Sequence, residues 1–212
     1  MDPIVISRSY FFEGETDELT SLFESGLSTF HLYKPGADTV DLAKFLGQVP
    51  AEYRNRVILH DHSNLLFQYK LGGYHLTDAE GSEQYRDPEK VAHFVKTISE
   101  GGYKVSASIH DPVQQFDLPA GLKYIFLSPV FDSISKPGYK RNDRVWEIGG
   151  VNVERRAPLI ALGGINAGNV QTVLDHGFDG IAVLGSVWNQ NSPSDAWKNL
   201  RQVCHSHATQ ML

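Results

Sequence analysis

Eight short apolar runs recur along the chain, each followed by a polar or amphipathic stretch, and this alternation limits the fold more than any other feature. The runs are "IVIS" (4–7), "TFHLY" (29–33), "VILHD" (57–61), "GYHLT" (73–77), "KVSASIH" (104–110), "YIFLSP" (124–129), "LIALGG" (159–164) and "GIAVLGS" (180–186). Strand signals separated by helix-like segments predict parallel strands joined by crossovers. Eight of them suit closure into a (β/α)8 barrel, an α/β fold whose lower size limit is roughly 200 residues. The chain has 212. An open doubly wound sheet is the alternative, although it is usually built on fewer strands.

The segments between the runs carry helix signals. "TDELTSLFESG" (16–26) has apolar spacing near 3.6 and ends at Gly26, a C-cap residue. "DTVDLAKFLGQV" (38–49) opens on Asp38 as an N-cap, and "DPEKVAHFVKTISEGG" (87–102) places Pro88 at the first helical position after Asp87. "NAGNVQTVLDHG" and "SPSDAWKNLRQVCHSH" follow the last two strands. The third unit is the weakest, since "SNLLFQYKLGG" leaves room for only a short helix, and residues 140–157 are polar and irregular. With no linker or low-complexity segment, residues 1–212 are expected to form a single barrel domain.

Nineteen basic against twenty-five acidic residues give a formal charge of −6, so there is no basic footprint for nucleic acid. The single Cys204 excludes an internal disulfide and a cysteine-based zinc cluster. No apolar stretch reaches membrane-spanning length, and the N-terminus lacks a signal pattern, so a cytoplasmic protein is expected. Trp146, Trp188 and "YFF" (10–12) are candidates either for core packing or for a homo-oligomer interface.

In a barrel the reactive face lies at the C-terminal strand ends. Those positions hold Lys34 after strand two, His60, Asp61 and His62 after strand three, His75, Thr77, Asp78 and Glu80 on strand four, and Ser108, His110 and Asp111 on strand five. Strand six leads into "FDSISKPG", with Ser133, Ser135 and Lys136. The seventh and eighth end in "ALGGINAGNV" and "VLGSVW". Glycines let the backbone approach a ligand, Asn166 is placed to cap the next helix, and unpaired N–H groups there favour an anion. Loops after strands seven and eight are the recurrent phosphate position of this fold. A small phosphorylated ligand is therefore expected at these two loops.

Histidines are frequent at these ends. "HDH" (60–62) with His75 is one candidate transition-metal set, but His75 lies early in its strand and reads more simply as a hydrogen-bonded residue of the barrel interior. "SASIHD" alternates, so Ser106, Ser108 and His110 share a face. Histidine titrates near neutrality and moves protons in either direction, which makes His110 a candidate acid/base. Asp61 with Glu80 or Asp78 forms a candidate Mg2+ pair.

In this order, the motifs resemble those of the thiamine phosphate synthase/TenI superfamily over roughly residues 28–188. "YIFLSPVFDSISKPG" is similar to its strand-six signature, "KVSASIHD" to its Ser-x-His strand, "GYHLTDAE" to its Val-His-Leu segment, and "PLIALGGINAGNV" with "DGIAVLGSVW" to its closing phosphate loops. The resemblance implies that Gly164, Leu184 and Gly185 bind the phosphate of a thiazole through backbone N–H groups. It also implies that Ser133, Ser135 and Lys136 face the anionic end of a ligand, which in synthases is a pyrimidine diphosphate bound with Mg2+.

Departures from the family pattern fall on the diphosphate side. His31, Tyr33 and Pro35 stand where synthases carry Gln, Arg and Lys, and Lys34 offers a point charge rather than a guanidinium fork. His60-Asp61 replaces Asn-Asp, and Glu80 aligns with the next metal-binding Asp. His31, Lys34 and His60 are thus expected at the substrate. This profile favours a thiazole tautomerase that needs no metal, with His110 moving the proton and Ser108 and Lys136 near the substrate carboxylate. The alternative is a synthase with Mg2+ on Asp61 and Glu80, joining a pyrimidine diphosphate to thiazole phosphate. A third reading is a non-catalytic regulatory barrel that binds thiazole phosphate.

Overall fold

A computed structural model describes residues 1–77, 87–134, 138, 140–149 and 155–210. Its eight parallel strands close into a barrel in chain order. They are β1 (Ile4–Ile6), β2 (Phe30–Leu32), β3 (Val57–Leu59), β4 (Gly73–Leu76), β5 (Lys104–Ile109), β6 (Tyr124–Leu127), β7 (Leu159–Leu162) and β8 (Gly180–Val183). Val5 sits between Phe30 on one side and Val183 on the other, which joins the last strand to the first. The expected (β/α)8 barrel is the observed fold.

The helices are α1 (Glu15–Glu24), α2 (Thr39–Gln48), α3 (Asn64–Gln68), α4 (Pro88–Glu100), α5 (Val170–Asp175), α6 (Gly185–Trp188) and α7 (Pro193–Gln210). Local chemistry sets their ends. Asp38 accepts a hydrogen bond from the Asp41 amide at 2.8 Å, and Asp87 accepts from the amides of Glu89 and Lys90. Gly26 follows α1 at φ 103°, and the next amide, on Leu27, returns to the Leu22 carbonyl. The third unit has only the five-residue α3. The crossovers after β5 and β6 contain the 3-10 turns Pro112–Phe116 and Asp143–Gly149.

Strand alternation divides the core in two. Val5, Phe30, Leu59, Tyr74, Val105 and Ile125 face the surrounding helices. Residues of opposite parity fill the barrel, and there the lining is uneven: Ile4, Ile6, Phe126, Ile160 and Ala182 form an apolar side. His31, His75 and Ser106 are buried polar residues on the interior parity of β2, β4 and β5. Barrel interiors usually hold layers of branched apolar side chains. This one carries imidazoles and hydroxyls on the β2–β5 side.

Of the aromatics considered for an interface, Trp188 is buried and its indole N–H donates to the Ile6 carbonyl at 2.7 Å. Trp146 packs against Phe131, His176 and Phe178. Tyr10 and Phe11 remain exposed. Among the described residues, no helix is long and apolar enough to cross a membrane.

Candidate active site

A cavity of about 500 Å³ opens at the C-terminal ends of the strands. That volume fits a small ligand, for which pockets of roughly 300–1,000 Å³ are usual. Gly163, Gly164, Leu184 and Gly185 form one wall, and His60, His75 and Thr77 lie on another. Ser108, His110, Ser128 and Ser133 line it from the β5–β6 side, and Arg8 closes it from the end of β1.

The glycine turns have a steric origin. Gly163 and Gly164 have φ of 106° and 66°, in the left-handed region that side chains disfavour. A Cβ on Gly163 would meet Pro129 at 2.8 Å, one on Gly164 the Asp132 carbonyl oxygen at 2.4 Å, and one on Gly185 the Ile134 side chain at 2.8 Å. The loop after β6 therefore wedges against both turns. It is pinned by the Val130 and Phe131 amides, which donate to the carbonyls of Leu162 and Gly163. Among the described residues, the amides of Gly164 and Gly185 donate to no protein acceptor and remain available to an anion. Asn166 does not cap α5 as its position suggested. Its carboxamide oxygen accepts from the Gly168 amide, and Asn169 occupies the N-cap while donating to the Gly164 carbonyl. The reason is a three-residue turn between Asn166 and the helix.

His110 follows β5 directly. Its Nδ1 lies 2.8 Å from the Ser128 carbonyl, which can only accept, so Nδ1 carries the proton. Nε2 is then a lone-pair base with no protein partner among the described residues. The Asn142 carboxamide holds the His110 carbonyl at 2.6 Å, and Gln114 accepts from its amide at 2.8 Å. Ser108 shares the cavity but pairs with His75 Nε2 at 2.8 Å, not with His110.

Below the mouth runs a buried polar chain. Tyr124 Oη is 2.6 Å from His31 Nε2, His31 Nδ1 is 2.9 Å from His60 Nε2, and His60 Nδ1 is 3.3 Å from Thr77 Oγ1. His75 bridges Ser106 and Ser108 at 2.8 Å each. Burial holds all three imidazoles well below their ordinary range, His60 down to about 3, so they are neutral at physiological pH.

The structure moves two expected substrate residues away from the cavity. His31 is fully buried beneath the mouth and both its ring nitrogens are committed. Lys34 turns away, donating to Glu15 and to the carbonyls of Arg8 and Tyr10. The "HDH" set also does not form, because His62 bonds Thr39 and the Ala37 carbonyl. Asp61 is exposed at the end of β3. Asp78, Glu80, Ser135 and Lys136 lie outside the described residues. Arg8 was missed, although a basic residue one position past "IVIS" was the available signal. Its guanidinium donates to the Trp188 carbonyl and Tyr10 Oη, lies near Asn189, and keeps a buried Nε without a partner.

The family described as thiamine monophosphate synthase matches residues 4–187. A thiamine-phosphate synthase of Geobacillus kaustophilus is 25% identical over 91% of this chain and 86% of its own length. One from Leptospira biflexa is 27% identical over 93% and 94%. Among solved structures, the thiamine phosphate pyrophosphorylase of Bacteroides thetaiotaomicron superposes with a TM-score of 0.73 at 27% identity, covering 97% of this chain and 98% of that one.

Proposed function

The chain belongs to the thiamine monophosphate synthase family, an enzyme family of thiamine biosynthesis, and on that premise we propose that it is itself a thiamine-phosphate synthase. It would join a hydroxymethylpyrimidine diphosphate to a thiazole phosphate and release pyrophosphate. The observation that carries this reading is the pair of free glycine amides, Gly164 and Gly185, on one wall of the strand-end cavity. Relatives named for this activity align over nearly the whole chain.

On this reading the Gly164, Leu184 and Gly185 turns receive the thiazole phosphate, with Arg8 lining the same cavity. Backbone dipoles fixed by the β6 loop need no reorganisation when the anion arrives. The bond between the pyrimidine methylene carbon and the diphosphate oxygen breaks, and the thiazole nitrogen takes up the vacated carbon. Ser133, Ser135 and Lys136 are assigned to the departing diphosphate. Tyr33 and Phe126 offer aromatic faces to the rings, and His60 a neutral imidazole. Water is kept from the pyrimidine methylene cation left by that cleavage by the apolar wall of Ile6, Leu162 and Ala182. Mg2+ would supply charge neutralisation for the diphosphate. Asp61, an exposed carboxylate, fits its preference for oxygen donors, with Glu80 as the second carboxylate.

The tautomerase reading, favoured by the sequence, is the second choice. What supports it is the withdrawal of Lys34 into a buried pair and the presence of Tyr33 where a guanidinium was expected. One assay of purified protein decides between them: both substrates with and without Mg2+, and the carboxythiazole phosphate tautomer alone. Mg2+-dependent formation of thiamine phosphate is the expected result. Turnover of the tautomer with no coupling at saturating substrate and metal would reverse the order. Tight thiazole phosphate binding with neither reaction would leave the regulatory reading.

A further inference from the structure

Three histidines from adjacent strands converge inside the barrel, and the reaction proposed above gives no role to His31 or His75. One nitrogen from each of His31, His60 and His75 lies within 4.8 Å of the others. We propose that this trio is a binding site for a zinc-class transition-metal dication, with an open coordination position facing the cavity.

Spacing is the first support. Metal–nitrogen bonds of about 2.0–2.1 Å in a tetrahedral site set ligand nitrogens about 3.3 Å apart. The closest pair here, His31 Nδ1 and His60 Nε2, is at 2.9 Å, and the widest separation is within 4.8 Å. Closing on a metal requires the His60 and His75 rings, now 4.3 Å apart at 31° to one another, to rotate and each ligating nitrogen to release its present partner.

The surrounding partners are the second. A ligating histidine donates its other ring N–H to an acceptor, which fixes its tautomer and orientation. With Nδ1 of His31 on the metal, its Nε2–H meets Tyr124 Oη. With Nε2 of His60 on the metal, its Nδ1–H meets Thr77 Oγ1. His75 has a serine hydroxyl at 2.8 Å on either nitrogen, so whichever one ligates, the other is held. His31 Nδ1 and His60 Nε2 share one proton, so binding shifts whichever ring carries it to its other tautomer, with no net proton lost from the imidazoles. Burial already keeps all three neutral, the form that ligates.

Ligand type sets the metal class. Three imidazoles without a carboxylate suit Zn2+, Co2+, Ni2+ or Cu2+ and offer little to Mg2+, which selects oxygen. The dication is uncompensated by the protein, so an anion from the cavity, hydroxide or a substrate carboxylate or phosphate, completes it. His60 and His75 lie on the cavity wall and leave that position accessible. The site is independent of the synthase assignment.

The test is titration of the metal-stripped full-length protein with Co2+, followed by visible d–d absorption, and with Zn2+ by calorimetry. One equivalent should bind with the intense bands of tetrahedral cobalt, be displaced by Zn2+, and resist a large excess of Mg2+. His75→Gln and His31→Gln should each weaken binding more than about 100-fold, since loss of outer partners alone costs about 10–100-fold. His205→Gln with His207→Gln removes two surface histidines that pair with Asp2 and Asp175, and should change nothing. Failure of the unsubstituted protein to bind one equivalent, or a weak octahedral spectrum, overturns the site whether or not the variants fold. So does stoichiometric binding retained by a folded His75→Gln protein.

Discussion

The Lys34 ammonium lies 2.6 Å from Oε1 and 2.8 Å from Oε2 of Glu15, with both side chains almost wholly buried. It also donates to the carbonyls of Arg8 and Tyr10, at 2.9 and 2.7 Å, so all three of its protons are used. The pair joins the start of α1 to the end of β2 beside the cavity, and it removes from solvent the one cation that strand two contributes there. Burial pushes the Glu15 carboxyl up and the Lys34 ammonium down, and their mutual attraction offsets these shifts only in part.

Removing either partner strands the other charge. Glu15→Gln or Lys34→Met should cost about 3–5 kcal/mol in denaturant unfolding. The double variant Glu15→Leu/Lys34→Met should be close to neutral or more stable than the natural chain. A carboxyl raised in the fold contributes fully below its ordinary value of 4.5 and loses that contribution as pH climbs through the folded value. Stability of the natural chain, referred to the double variant, should therefore rise as pH falls through the weakly acidic range. A double-variant cost equal to the sum of the two single costs would show that the pair is not coupled.

Gly164 and Gly185 should respond differently to alanine. At Gly164 the added methyl meets backbone at 2.4 Å and the φ of 66° is itself unfavourable, so destabilisation of about 1–3 kcal/mol is expected. At Gly185 the obstacle is Ile134, an exposed residue of the β6 loop whose Cγ2 and Cβ would lie at 2.8 and 3.1 Å, so that loop has to shift slightly to admit the methyl. Gly185→Ala should melt near the natural temperature yet raise the KM for thiazole phosphate, because the methyl stands beside the amide that receives it. A large loss of stability at Gly185 would indicate that the β6 loop cannot yield.

Much of this architecture was legible because it rests on local signals. Asp38, Asp87 and Gly26 mark helix ends through bonds spanning five residues or fewer, and the eight apolar runs fix strand order. The glycine turns were legible for the same reason. What escaped depends on distant partners. The fate of Lys34 is decided by Glu15, nineteen positions earlier and on another element. His31 reads as a strand-end residue, but register places it one layer below the mouth, where Tyr124 from the opposite side of the chain takes its second nitrogen. His62 looks like a ligand until the turn at φ 55° points it at Thr39. Arg8 sits among the ordinary polar residues that end strand one, and only closure against β8 brings it to the cavity that Gly185 also lines.

Arg8 should matter for the phosphate. Its Nε is buried without an acceptor, and its planar fork is already oriented by Trp188 and Tyr10. A charge-assisted hydrogen bond to a ligand oxygen contributes about 1.5–3 kcal/mol, which is roughly a 10- to 150-fold change in affinity. Arg8→Met should weaken thiazole phosphate by that factor in a calorimetric titration. Arg8→Lys should recover only part of it, because an ammonium cannot reproduce the fork. Unchanged affinity in Arg8→Met would confine the residue to bracing α6.

His110 separates the two chemistries at one atom. The Ser128 carbonyl fixes the proton on Nδ1 and leaves Nε2 as the base at the cavity. Proton transfer in a tautomerisation passes through such a base, and its loss costs about 10²–10⁴ in rate. Synthesis begins instead with ionisation of a carbon–oxygen bond, a step that takes no proton from carbon. His110→Ala should therefore lower coupling only modestly, within about tenfold, while abolishing most tautomerase turnover if any is present. His110→Asn, which can still donate toward Ser128, keeps the wall of the cavity but not the base, and should follow the alanine variant in tautomerisation and the natural chain in coupling. A thousandfold loss of coupling in both variants would place a proton transfer within the synthase reaction itself and require Nε2 to act on the thiazole.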